Sequence, residues 1–258
     1  MPDDWILCES FDGITDPWNE LGAFVSIDGA LAIEEGPSRS GAQSLRIRQV
    51  PETDWGGWAV LRFGTGPSGA VVHAPDEDFD EVWVRFWTRT PLDWPDGGMG
   101  DLVEVQALST EGSAIAADAT VLGPTGSLHA RLIGWSCVHD GELLCNGVND
   151  WGNPNLVARA FTSGQAPIFG QQHAGEWHCA VLHVKLDEPG SSDGNITLSV
   201  DGELDAQLDG LELLGTWSGT RLNAVKFSSW WPDVPHVLER HIDDVVVATS
   251  PLACPPYR

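Results

Sequence analysis

Two histidines in this chain, His129 and His183, each stand two residues before a cation, Arg131 and Lys185. Side chains alternate across an extended strand, so residues two apart share a face. Each pair therefore sets a titratable imidazole beside a fixed positive charge. Stretch 82–90 divides the same way, with Trp83, Arg85, Trp87 and Arg89 on one face and Val82, Val84, Phe86 and Thr88 on the other. In 103–108, Glu104, Gln106 and Leu108 oppose Val103, Val105 and Ala107, and in 221–230 Lys226 and Ser228 alternate with Val225 and Phe227. Trp rings stack on sugar faces, whereas Arg and Lys pair with carboxylate or sulfate. If these strands share one sheet, Trp83, Arg85, Trp87, Arg89, Gln106, His129, Arg131, His183 and Lys185 converge on a groove suited to an acidic polysaccharide. The competing reading is a solvated face, the default outer surface of an antiparallel sheet.

The elements that must position these residues are strands. No sustained i, i+3, i+4, i+7 apolar stripe with caps occurs. Alternating runs recur instead, punctuated by Gly, Pro, Asp and Asn: 23–26, 30–34, 43–49, 58–63, 70–73, 82–90, 102–108, 127–135, 156–162, 177–187, 195–201, 204–208, 221–230 and 241–249. Their number and spacing predict an all-β fold, a two-sheet antiparallel sandwich in one domain over 1–258. Helices or short turns fit 166–174 and 211–216. Loops 91–100 and 146–155, the second dense in side-chain amides, lie where rim contacts to a ligand are made.

Composition narrows the partners. Asp and Glu number 38 against 13 Lys and Arg, a formal net charge of −25, and the lysines are Lys185 and Lys226 alone. Phosphate contacts need clustered cations, so nucleic acid and anionic membrane surfaces are excluded as general partners. No apolar run approaches the ~18 residues of a spanning helix, and no membrane insertion is expected. With 42% hydrophobic residues and 13 Trp, the chain is not disordered. The start, Met1-Pro2-Asp3-Asp4-Trp5, lacks a charged-then-apolar signal pattern, so a secreted or cell-surface protein would have its leader absent from this chain. Five cysteines fit such an oxidising compartment. Cys137 and Cys145 flank an Asp140-Gly141 hairpin signal and are expected to pair. Cys8 and Cys254 lie near the two ends and are expected to staple them, with Cys179 buried and free. Neither CxxC nor HExxH occurs, so no zinc centre is expected.

Several segments stand together: Ser10-Phe11-Asp12-Gly13, Arg39 to Arg46, Glu81 to Trp87, Gly175-Glu176-Trp177-His178 onward to Val200-Asp201-Gly202, and His241-Ile242-Asp243-Asp244-Val245. They resemble bacterial concanavalin A-like lectin/glucanase proteins, especially the polysaccharide-lyase-like branch, over roughly 10–250. The resemblance implies a β-jelly roll of two curved sheets with sugar bound on the concave face. Lyase members cleave uronate chains by β-elimination. A His or Tyr base takes the proton beside a carboxyl group that Arg, Gln, Asn or Lys neutralises. Carried onto this sequence, His129 or His183 takes the proton while Arg131 and Lys185 neutralise the carboxyl. The single tyrosine, Tyr257, stands next to last, and the alginate-lyase signatures Arg-x-Glu-Leu-Arg and Gln-Ile-His are missing. A lyase would therefore use histidine in both proton roles, or water as the acid. The hydrolase branch needs paired carboxylates on one strand, and the nearest stretch, Glu77-Asp78-Phe79-Asp80-Glu81, has the wrong spacing. Two alternatives stand beside the lyase: a non-catalytic carbohydrate-binding or adhesion module, and a structural surface or assembly protein. Related modules hold a structural Ca2+ near the first and last strands, with Asp12, Asp243 and Asp244 as candidates here. Oligomeric state is left open.

Overall fold

The computed structural model describes all residues except 1, 52, 54, 67–68, 70, 95–99, 110–113, 124–127, 146–154, 158–161, 231–236 and 256–258. In chain order the strands are β1 (Trp5–Glu9), β2 (Ala23–Ser26), β3 (Leu31–Glu35), β4 (Gln43–Gln49), β5 (Trp55–Arg62), β6 (Glu81–Arg89), β7 (Asp101–Leu108), β8 (Ile115–Leu122) and β9 (Arg131–Ser136). They continue with β10 (Val138–His139), β11 (Glu142–Leu143), β12 (Asn155–Leu156), β13 (Thr162–Ser163), β14 (Trp177–Lys185), β15 (Gly194–Val200), β16 (Glu203–Leu211), β17 (Ala224–Trp230) and β18 (Leu238–Ala248). One helical turn, α1 (Pro17–Glu20), and a 3-10 turn over Gln171–His173 complete the described elements. No helix is long and apolar enough to cross a membrane.

Two antiparallel sheets form a jelly-roll sandwich. The first runs β16-β15-β14-β6-β18-β4-β3, with β1 also on β18, and the second runs β12-β9-β8-β7-β17-β5-β2, with β13 also on β9. The apolar faces legible in the sequence meet between them. Val82, Val84, Phe86, Leu182 and Val184 from the first sheet share one buried cluster with Val103, Val105, Ala107, Val225 and Phe227 from the second. Phe86 and Phe227 touch across the gap, ring centres 5.6 Å apart. Each such side chain contributes about 1.5–3 kcal/mol by leaving water.

The departures from expectation are local. Strand β8, Ile-Ala-Ala-Asp-Ala-Thr-Val-Leu, falls where no strand was expected, because alanine favours strands weakly. Packing overrides that preference: Ala116, Ala117, Ala119 and Val121 are all buried. Residues 128–130 precede β9 rather than belong to it, and His73 makes only an isolated bridge with Phe63. The Asp140-Gly141 signal does form a hairpin, with φ of 50° and 79° at its two residues. Cys137 and Cys145 form a disulfide there, as expected. The expected Cys8–Cys254 bridge is corrected: Cys179 pairs with Cys254, and Cys8 is a free, exposed thiol. Strand β1 does lie beside β18, with Cys8 opposite Val246. Cys254, however, lies beyond the end of β18 and packs over β6 and β14 against Trp87 and Val181.

Candidate functional site

The second sheet turns a polar row away from the core. Pairing sets Lys226 beside Glu104, Glu104 beside Thr120, and Gln106 beside Asp118, across β17, β7 and β8. Trp58 on β5 and Arg131 and Trp135 on β9 lie on the same face, all half-buried. Lys226 Nζ lies 2.7 Å from Glu104 Oε1 and donates to Oε2 at 3.0 Å. Gln106 Nε2 donates to Glu104 at 2.7 Å and to Asp118 at 2.8 Å. The hydroxyl of Thr120 donates to Asp118 at 2.7 Å, and that of Ser228 to Glu104 at 3.3 Å. Glu104 is 2% exposed and Asp118 6%. Carboxylates this far from water persist only when paired and hydrogen-bonded.

The electrostatics follow from that desolvation. Burial, reinforced by Glu104, raises the Asp118 carboxyl well above the usual carboxylate range. At the start of β7, burial and Glu104 push Asp101 up to about 7, against the pull of Lys226 and Arg240. Burial lowers the Lys226 ammonium, but the charge and hydrogen bond of Glu104, with Asp101 and Asp118, outweigh it and leave its pKa raised. Lys226 therefore stays protonated at neutral pH. Arg240, fully buried on β18, reaches across the core and donates to the carbonyls of Asp101 at 2.7 Å and Ser228 at 3.0 Å. Burial pulls its guanidinium down to about 9. Such opposed, desolvated titrating groups mark candidate functional sites.

The single groove expected from the strand faces is not formed. Gln106 and Arg131 lie on the second sheet, and half-buried His129 precedes β9. Trp83, Arg85, Trp87 and Arg89 on β6, with His183 and Lys185 on β14, lie on the first sheet, on the face opposite its core residues Val82, Val84, Phe86 and Leu182. The core thus separates Gln106 and Arg131 from His183 and Lys185. On the first sheet His183 bonds Glu81 at 2.8 Å and stacks on Trp83 at 4.4 Å, while Lys185 donates to Asp193 at 2.8 Å. Arg85 donates to the Ala253 carbonyl at 3.2 Å and Arg89 to that of Gly175 at 2.7 Å. Trp87 is buried beneath the guanidinium of Arg39 and the Cys179–Cys254 bridge, so it offers no open ring to a sugar.

The acids chosen for Ca2+ have another task. Asp12 accepts the N–H groups of Ala42 and Gln43, and Asp243 those of Arg39, Ser40 and Asp244. Ser40 Oγ donates to Asp244 at 2.5 Å. All three carboxylates thus hold the 39–43 turn, and burial raises Asp243 to about 6 despite these bonds. Among the described residues, His173, Glu176 and His178 are the group placed to share a metal ion. Sequence reading missed Lys226, Glu104, Asp118, Asp101 and Arg240 as a network. Lys226, Ser228 and Glu104 on alternating faces were its visible signal.

No family model matches the chain, and no curated protein does. Solved structures match over nearly its whole length. A glucuronan lyase from the fungus Trichoderma reesei superposes with a TM-score of 0.62 at 13% identity, covering 95% of this chain and 96% of that one. The two chains share the jelly-roll fold. A marine alginate lyase from Aplysia kurodai gives 0.62 at 12% identity, covering 95% and 99% of the two chains. A cellulose-induced protein, Cip1, gives 0.54 at 14% identity, covering 96% and 100%.

Proposed function

We propose that this jelly roll engages an acidic polysaccharide on the outer face of its second sheet and cleaves it there by β-elimination. The observation that carries the reading is the Lys226–Glu104–Gln106–Asp118 network, which gathers a charged ammonium, an amide donor and a carboxyl of raised pKa on one desolvated face. The lyase neighbours, at low identity but full coverage, support the chemistry. In this reading Lys226 receives the charge that develops on the uronate carboxyl as the adjacent proton leaves, and Gln106, with both amide N–H bonds on Glu104 and Asp118, holds those acids in place. The ionised form of Asp118, more basic than an ordinary carboxylate, takes that proton; the double bond forms as the adjacent glycosidic C–O bond breaks, and water protonates the leaving oxygen. Arg131 and His129 hold a neighbouring sugar unit, and Trp58 offers a stacking surface. Secretion or surface display fits the two disulfides.

One observation favours a second reading. Glu104 and Asp118 accept from one nitrogen at 2.7 and 2.8 Å, so the bonded oxygens are no more than about 5.5 Å apart. Retaining glycosidases likewise carry two carboxyls on one face, close together. The products discriminate. Incubation with glucuronan, alginate, pectate and glycosaminoglycans should give absorbance near 235 nm from unsaturated uronate ends. New reducing ends without that absorbance would establish hydrolysis instead. Binding with neither product would leave a non-catalytic module.

A further inference from the structure

The turn that leads into β14 holds three donors that the polysaccharide face does not use. His173 ends the 3-10 turn, Glu176 immediately precedes β14, and His178 is the second residue of that strand. One donor atom from each lies within 4.8 Å of the other two. Glu176 Oε2 is 2.9 Å from His173 Nδ1 and 3.8 Å from His178 Nε2. Ligands about 2.0–2.1 Å from a tetrahedral ion stand about 3.4 Å from each other, and these two spacings bracket that value.

His178 supplies the independent observation. It is 8% exposed, and its Nε2 is buried without a hydrogen bond. A buried ring nitrogen without a partner is costly, and one aimed at a carboxylate and a second imidazole is arranged for a ligand. Its other nitrogen, Nδ1, lies 2.7 Å from Asp201 Oδ2, and the Asp201 carboxylate also accepts the Cys179 N–H at 2.9 Å. Asp201 thus fixes the ring through Nδ1 and leaves Nε2 facing Glu176. An imidazole oriented by a carboxylate on its far nitrogen is the usual setting of a metal-binding histidine. Beside Glu176 and His178 opens a cavity of about 400 Å³, walled by Trp87, Trp177, Asp201 and Cys254. It has room for water or a small ligand in a fourth position.

We propose that His173, Glu176 and His178 bind a divalent transition-metal ion of the Zn2+ type, with Asp201 as the positioning residue. Two imidazoles and one carboxylate suit such an ion, whereas Ca2+ takes six to eight oxygens. The site stands on the first sheet and is independent of the polysaccharide reading. Its spacing, His-x-x-Glu-x-His, runs from a 3-10 turn into a strand and therefore lacks the helical HExxH pattern.

Chelator-treated protein with its disulfides intact should bind one Zn2+ per chain by calorimetry and develop the visible bands of tetrahedral Co2+. Its melting temperature should rise with Zn2+ concentration. His173→Gln, on a partly exposed turn, should weaken binding by at least about 100-fold while leaving the melting temperature of the metal-free protein unchanged. Asp201→Asn should weaken it by about 10–100-fold. Excess Ca2+ should not displace Co2+. Absence of heat and of Co2+ bands at millimolar metal would overturn the proposal. So would a single site whose affinity survives both His173→Gln and His178→Gln.

Discussion

The outer faces of the two sheets use ionisable residues in opposite ways. On the first sheet the pairs that reach water are local: His183 with Glu81, Lys185 with Asp193. On the second, Lys226, Glu104, Gln106 and Asp118 form one network removed from water, tied through Arg240 and Asp101 to the core. Partly exposed pairs are screened and respond weakly to change. A desolvated network is unforgiving, and its pKa values move apart. The face that looked richest in chemistry by residue type is thus the quieter one, and burial rather than composition singles out the other.

The sharpest way to break this contrast is Lys226→Met. It should remove lyase activity by roughly 10²–10³-fold. It should also destabilise the fold by about 3–5 kcal/mol, because Glu104 stays buried without its cation. Lys185→Met should leave both activity and the urea midpoint unchanged. The disulfides sharpen the contrast next. Cys254→Ser opens a bridge of sequence separation 75 against the first sheet and should cost about 4–5 kcal/mol by chain entropy. Cys145→Ser opens one of separation 8 beside the second sheet and should cost about 2.5 kcal/mol, both read by urea denaturation. A double-mutant cycle of Lys226→Met with Glu104→Gln should return a coupling of about 0.5–3 kcal/mol. The same cycle on His183 and Glu81 should return less.

The smallest effect is in pH, and its sign differs between groups. Asp101, raised to about 7 by burial, contributes stability that is present below its unfolded pKa and lost as pH rises through 7. Asp118 acts in the same direction, and Asp243 adds a like slope that ends near 6. Asp193, held low by bonds from Lys185 and Ser191, contributes stability that is present above its unfolded pKa and lost only as pH falls through the acid range. Melting temperature should therefore fall from pH 5 to pH 8. Asp101→Asn should flatten that slope, and Asp193→Asn should not.

Much of the fold was legible because its information is local. Alternation marked β4, β6, β7, β14 and β15 and assigned Val82, Val84, Val103, Val105 and Leu182 to the core. Strand neighbours are not local. β6 pairs with β14 and β18, and β9 with β8, so no stretch of sequence tells that Arg131 and His183 end on different sheets. Asp118 was missed because its alanine-rich strand has weak intrinsic preference, and Lys226 because its importance comes from burial beside Glu104. The first and last strands do pair, as expected, but the tail beyond β18 carries Cys254 past Cys8 to Cys179.

The most direct test compares two variants in one assay, the rate of absorbance gain near 235 nm on a cleaved acidic glycan. Circular dichroism and a Lys226→Arg control would confirm that the proteins are folded. With the site on the second sheet, Lys226→Met loses the signal, Lys226→Arg recovers part of it, and His183→Ala with Lys185→Met keeps it. Loss of the signal in the His183 and Lys185 variant, with Lys226→Met still active, would place the chemistry on the first sheet and contradict the assignment.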